Sequence, residues 1–150
     1  MGIDIDMAKT VELAKGEYMS SDDAITPNAI KILPEEIKKK YKIYLCNRIV
    51  CDSYLNPIKN RYWLTEKLEK NVFNLSNREE LLYYLNSAIE FGSIFSYMSA
   101  VVFKKTEWDC IDYDMSFTGT GYAHVKRIFS IIHNQGRLKY IETPLVLKLC

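Results

Sequence analysis

Ser21-Asp22-Asp23 is the most chemically suggestive run in this chain. It sets two adjacent carboxylates at the end of a short strand, and paired carboxylate oxygens can hold a hard divalent cation. A cation held in that way can bridge a diphosphate and neutralise its charge as it leaves. A solvated acidic turn ahead of a helix accounts for the same spacing more simply, because Asp is favoured near a helix N-terminus. The four cysteines, Cys46, Cys51, Cys110 and Cys150, form no C-x-x-C pair, and His124 and His133 do not stand at zinc-ligand spacing from them. They read as reduced thiols, mostly packed in strands. The 11 tyrosines could stack on sugars or bases, but core and half-core packing is the plainer use of any one of them.

The elements that must position these groups alternate between helix and strand. Residues 6–15 fit a helix with Met7, Val11 and Ala14 on one face and Gly16 as its stop. Residues 17–19 read as a very short strand. Thr26 followed by Pro27 is an N-cap and first-turn pair opening a helix through Ala29, Ile30 and Leu33, which Pro34 should break or kink. Residues 41–52 form the best strand, Asn56-Pro57 a turn, and residues 58–75 an irregular excursion. Ser76 with Glu79 resembles a capping box; the helix it opens runs to about residue 90 with Leu81, Leu82, Leu85 and Ile89 as its apolar stripe, and Gly92 ends it. A buried strand at residues 99–103 precedes a short helix or turn at 104–111 and a polar loop at 112–121. The spacing of Val125, Ile128, Phe129 and Ile132 predicts a helix over 122–134, stopped by Gly136. Two short strands, 139–141 and 145–147, flank Pro144. The alternation argues α/β.

The bulk numbers bound the reading. A chain of 150 residues is enough for one domain and one core, and 48% hydrophobic with 26% charged residues is too apolar for disorder. A net charge of +1 gives no reason to invoke nucleic acid, and Lys38-Lys39-Lys40 reads as a solvated helix end complementing the helix dipole. Met1 followed by Gly2, Asp4 and Asp6 does not read as a secretory leader, and no apolar run approaches the length of a membrane span. The expected location is cytoplasmic, with at most peripheral contact at the inner face of the membrane.

Two runs resemble a known family. Ala14-Lys15-Gly16-Glu17-Tyr18, Ser21-Asp22-Asp23 and Pro27-Asn28-Ala29-Ile30 are similar to the family 2 glycosyltransferase pattern in which A-x-G-E-Y ends a helix, an S-D-D or D-x-D motif follows a strand, and P-x-A-I opens the next helix. Gly2-Ile3-Asp4-Ile5-Asp6 looks like the remnant of that family's N-x-G-x-x-x-N segment. Further on, residues 95–103 with Lys104-Lys105, then Trp108, residues 119–125 (GTGYAHV) and residues 140–146 (YIETPLV) resemble the abequosyltransferase-like O-antigen subgroup. Together the runs cover most of the chain apart from residues 41–92.

The resemblance implies a GT-A fold, a nucleotide-sugar-binding mixed sheet flanked by helices. It implies transfer of a sugar from a nucleotide-sugar donor to a saccharide or lipid-linked saccharide acceptor in bacterial surface-polysaccharide assembly. By the match, Asp23 would hold Mn²⁺ or Mg²⁺ against the diphosphate, and Asp22 would contact the ribose or assist the metal. Residues 1–52 would be the remnant of the donor and metal side, and residues 53–150 the acceptor side, of one partial domain. An inverting transfer needs a base within reach of the acceptor hydroxyl, and His124, then Asp114, then Asp112 are the candidates. The E-D pair common at this point is replaced by Gly121-Tyr122-Ala123-His124, so the motif does not identify the base. Local packing or capping accounts equally for His124. Trp108 and Tyr122 could stack on the acceptor sugar, with core packing favoured for Trp108. The family's first strand–helix–strand unit, a longer strand before the acidic motif and a C-terminal tail are not found in this sequence. That leads to the expectation of a fragment, whose activity would need a complementing N-terminal polypeptide. The alternative from another class is a non-catalytic binding or interaction module, or a gene remnant, keeping only the acceptor-side subdomain.

Overall fold

The computed structural model describes residues 23–112, 116, 122–134 and 136–150. The helix expected at 6–15, the strand at 17–19 and Asp22 lie outside them, as does Asp114. Within them, two long strands run parallel at the centre of a six-stranded mixed sheet: β2 (Ile43–Cys51) and β6 (Arg137–Leu149). Short antiparallel strands flank this pair. Outside β6 lie β1 (Asp23–Ile25) and β4 (Val72–Asn74); outside β2 lie β3 (Pro57–Arg61) and β5 (Val101–Phe103). Sheet and helices together make a mixed α/β structure, as the alternation predicts.

The expected pair of short C-terminal strands is a single strand with a bulge. Cys46 pairs with Ile141, but Asn47 pairs with Pro144 and Arg48 with Val146, so β6 carries extra residues there. Pro144 has no N–H to contribute, and a bulge is where a sheet tolerates that lack. Asn47, fully buried, knits the irregularity together: its Nδ2 donates to the Glu142 carbonyl at 2.7 Å, and its Oδ1 accepts from Tyr140 Oη at 2.8 Å and Trp63 N at 3.1 Å.

Helix α1 (Ala29–Ile37) starts two residues later than expected, with Asn28 as its N-cap; Pro27 lies in the preceding turn, where Thr26 Oγ1 accepts from Ala29 N at 3.3 Å. The helix runs through Pro34 instead of breaking there. The carbonyl that Pro34 leaves without its helical partner belongs to Ile30, an exposed residue, where water can serve it. Helix α2 (Arg78–Asn86) is capped one residue later than the sequence suggests: Asn77 Oδ1 accepts from Glu79 N at 2.9 Å and Glu80 N at 3.1 Å. Ser76 Oγ is directed instead to the Ile132 carbonyl at 2.9 Å. The expected stripe is also displaced. Tyr84 is the residue α2 buries, while Leu82, Leu85 and Ile89 remain exposed. Tyr84 fills the core with its ring and discharges its hydroxyl on the Ser93 carbonyl, which a leucine could not do. Gly92 sits in a short 3₁₀ turn (Phe91–Ile94) rather than at the end of α2, and a Cβ there would lie 2.2 Å from the Trp63 ring.

Helix α3 (Lys105–Asp109) follows β5, and α4 (Ala123–His133) lays Ile128, Ile131 and Ile132 on the sheet. The core joins Ile43, Leu45, Phe73, Phe95, Leu138 and Tyr140 to these residues. All four cysteines are free thiols. Cys46 and Cys51 are buried in β2, and burial pushes the Cys46 thiol up to about 12, so it is inert. Cys110 and Cys150 are exposed and outside strands, against the expectation for most of the set. Among the described residues no helix is long and apolar enough to cross a membrane.

Candidate functional site

Asp23 opens β1, opposite Lys148 of β6. Both of its carboxylate oxygens are engaged: Tyr97 Oη donates to Oδ1 at 2.5 Å, and Ser99 Oγ donates to Oδ2 at 2.6 Å. Short hydrogen bonds to an ionised acceptor are the strong kind. Burial, and then the bond to Asp23, push the Tyr97 hydroxyl well above the ordinary tyrosine range, with Arg48 opposing the shift. The hydroxyl therefore remains a donor throughout the physiological range.

A charged and aromatic assembly stands behind Tyr97. The Arg48 guanidinium lies 4.6 Å from the Tyr97 ring centroid and 4.5 Å from that of Trp63. Cation–π contact is stronger where water is scarce, and the Arg48 side chain is only 15% exposed. Glu90 joins Arg48 at 3.5 Å to Arg61 at 2.8 Å. Lys148 Nζ is 5.3 Å from the Tyr97 ring. Trp63 is fixed in turn by its indole N–H, which donates to the Cys46 carbonyl at 2.6 Å.

His124 lies in the first turn of α4, with Nε2 3.0 Å from the Phe95 carbonyl. A carbonyl can only accept, so Nε2 carries a proton and, in the neutral ring, Nδ1 keeps its lone pair. Phe95 adopts a left-handed conformation, with φ of 66°, which turns the chain between the 3₁₀ turn and Tyr97. Its ring is fully buried between Tyr84 and Phe129. Segment 95–99 thus touches both sequence-predicted groups: Asp23 through the hydroxyls of Tyr97 and Ser99, and His124 through the Phe95 carbonyl.

The other candidates are placed differently. Trp108 stacks on Phe103 at 4.7 Å, and the Arg127 guanidinium lies 4.4 Å from its ring. Arg127 also donates to the Trp108 and Ile111 carbonyls, each at 2.9 Å. These contacts give Trp108 a part in joining α3 to α4. Tyr122, immediately before α4, is 60% exposed, and Asp112 is exposed. Among the described residues no group of three His, Cys, Asp or Glu side chains is placed to hold a metal ion. Sequence reasoning passed over Tyr97, Ser99 and Arg48. The spacing of two between Tyr97 and Ser99 was the available signal, but their common target lies more than 70 residues away.

No protein-family model matches the chain. Abequosyltransferase RfbV of Salmonella typhimurium is 37% identical to it over 153 aligned residues. The match takes in 98% of this chain and 45% of that protein, so the chain spans a little under half the length of the curated relative it matches. Over nearly all of its own length, including both motif runs, this chain is similar in sequence to part of an abequosyltransferase, as those runs imply.

Proposed function

We propose that this protein acts in moving a sugar from a nucleotide-sugar donor to a saccharide or lipid-linked saccharide acceptor, in the assembly of a bacterial surface polysaccharide such as O-antigen. The observation that carries this reading is the match to an abequosyltransferase along 98% of the chain. The reading extends to a family 2 enzyme of GT-A fold, with residues 1–52 on the donor side and residues 53–150 on the acceptor side. The approach of Asp23 and His124 to one segment supports it, because donor and acceptor groups must meet at one bond.

The donor set at Asp23 suits a hard divalent cation. Each carboxylate oxygen accepts one side-chain hydrogen bond and has a further lone pair, and Mg²⁺ or Mn²⁺ takes one or two carboxylates together with substrate phosphates and water. Asp23, helped by Asp22, would hold the ion, which when bound would offset charge on the departing nucleoside diphosphate. On the acceptor side Nδ1 of His124 is the proton acceptor, while Nε2–H on the Phe95 carbonyl fixes the ring. Asp114 is the second candidate for that proton, and Tyr122 offers an exposed ring to a sugar face.

One observation favours the second reading, a non-catalytic module: both Asp23 oxygens are already engaged within the fold. The two readings separate in one assay. The protein, Mn²⁺, a panel of nucleotide sugars and a lipid-linked saccharide acceptor extract are incubated, and transfer of the sugar to the acceptor with release of nucleoside diphosphate is followed by mass spectrometry. The expected result is consumption of one donor, slowed about a hundredfold or more by Asp23→Ala. Full turnover in Asp23→Ala would remove the metal role. A cooperatively melting protein that consumes no donor supports the second reading.

A further inference from the structure

We infer that Tyr97 and Ser99, with Arg48 behind Tyr97, are positioning residues that set the plane of the Asp23 carboxylate for its ligand, an oxyanion-bound divalent cation. The inference rests on the proposed role of Asp23 and assigns the residues that make the role possible. A carboxylate on a short strand would otherwise rotate about its side-chain bonds, and among the described residues β1 pairs with β6 alone. Two donors from segment 95–99 each take a different oxygen, at 2.5 and 2.6 Å. One such bond would leave the group free to swing about it; two on opposite oxygens fix the plane. The lone pairs that remain then point in set directions, as a carboxylate needs when it shares a cation with a diphosphate.

The donors are themselves held. Tyr97 packs at 5.7 Å from Trp63, and Arg48 lies against both rings. Arg48 has a buried Nε with no hydrogen-bond partner among the described residues. Leaving a buried guanidinium N–H unsatisfied is costly, and plain packing gives no reason to retain an arginine there. The ring contacts and Glu90 keep the guanidinium in place, and its position stops the Tyr97 ring from tilting away from Asp23. The tie between β1 and segment 95–99 therefore depends on Arg48 of β2, on Glu90 after α2 and on Trp63 in the bend that follows β3.

The test measures cation binding rather than turnover. The protein is titrated with Mn²⁺ in the presence of each of UDP, CDP, GDP and ADP, and heat of binding and thermal midpoint are recorded for wild type, Tyr97→Phe, Ser99→Ala, Ser99→Thr and Arg48→Met. Wild type should bind Mn²⁺ with one nucleotide, with a raised midpoint. Tyr97→Phe and Ser99→Ala, each lacking one hydroxyl, should bind the pair about tenfold more weakly or worse. Ser99→Thr keeps the hydroxyl and should bind like wild type, and Arg48→Met should fall between the two groups. Wild-type affinity in Tyr97→Phe and Ser99→Ala, with only the ligand-free midpoint lowered, would overturn the inference and make the contacts purely structural. Failure of wild type to bind any Mn²⁺–nucleotide pair would instead remove the cation role of Asp23, and the inference with it.

Discussion

Asp23 and His124 are tied to the same segment in opposite ways. Asp23 is held by two side chains, Tyr97 and Ser99, so the tie exists only while those two residue types do. His124 is held by the Phe95 carbonyl, which any residue would supply, so the tie depends on where the backbone lies. That placement follows from the left-handed conformation of Phe95 and from the burial of its ring against Tyr84 and Phe129. The carboxylate is thus fixed by chemistry and the imidazole by packing. Among the described residues the imidazole is engaged through Nε2 alone, whereas each oxygen of the carboxylate accepts one hydrogen bond and keeps a further lone pair. A substitution at position 97 or 99 should therefore disturb Asp23 alone, and a substitution in the core under Phe95 should disturb both.

Phe95→Ala is the strongest way to break this contrast. Removing a fully buried ring with stacking neighbours costs about 3–5 kcal/mol, which urea denaturation followed by circular dichroism would register as a large fall in midpoint. A loss below about 1 kcal/mol would show that the segment is anchored elsewhere. Asp23→Asn should cost less, about 1–3 kcal/mol, because the amide presents N–H groups to one of two hydroxyls that need an acceptor. A neutral outcome in the same denaturation would mean that the two hydroxyls turn to water without penalty, so that the tie has no energetic content. His124→Ala should cost about 1 kcal/mol, the worth of one hydrogen bond. His124→Gln offers an amide N–H of similar reach and should recover much of that stability without recovering turnover, since it lacks a proton-accepting nitrogen. Turnover restored by Gln would reduce His124 to its contact with Phe95.

The parts of the molecule governed by local periodicity are visible in the sequence. The strand at 43–51 and the helix at 123–133 lie where residue spacing places them, and of the short helix or turn expected at 104–111 the helix is found, at 105–109. The remainder depended on contacts distant in sequence. Residues 139–141 and 145–147 read as separate strands because Pro144 interrupts the pattern, and only the buried Asn47 on a neighbouring strand shows why one strand can continue past it. Of the expected stripe on α2, Leu81 packs against the core while Leu82 and Leu85 remain exposed, and the fully buried place goes to Tyr84, which pairs its hydroxyl where a leucine has none. Asp23 and His124 could be singled out by residue type and by resemblance to a family. Tyr97, Ser99 and Arg48 could not, because their roles arise from a contact across 74 or more residues and from a guanidinium placed by sheet register.

Tyr122 provides the smallest effect and the finest test of the contrast. It stands immediately before α4, two residues from His124, with 60% of its surface exposed. Its ring contributes little to the core, so Tyr122→Ala should change stability by about 0.5 kcal/mol or less, near the limit of a denaturation experiment. If the ring stacks on an acceptor sugar, the same substitution should raise KM for the acceptor by roughly tenfold while kcat and the donor's KM hold, because a stacking contact binds ground state and transition state alike. Tyr122→Phe, which keeps the ring and drops the hydroxyl, should then behave like wild type. An acceptor KM unmoved by Tyr122→Ala would remove Tyr122 from the acceptor surface. It would leave Asp23, with its side-chain tie, and His124, with its backbone tie, as the groups proposed for transfer.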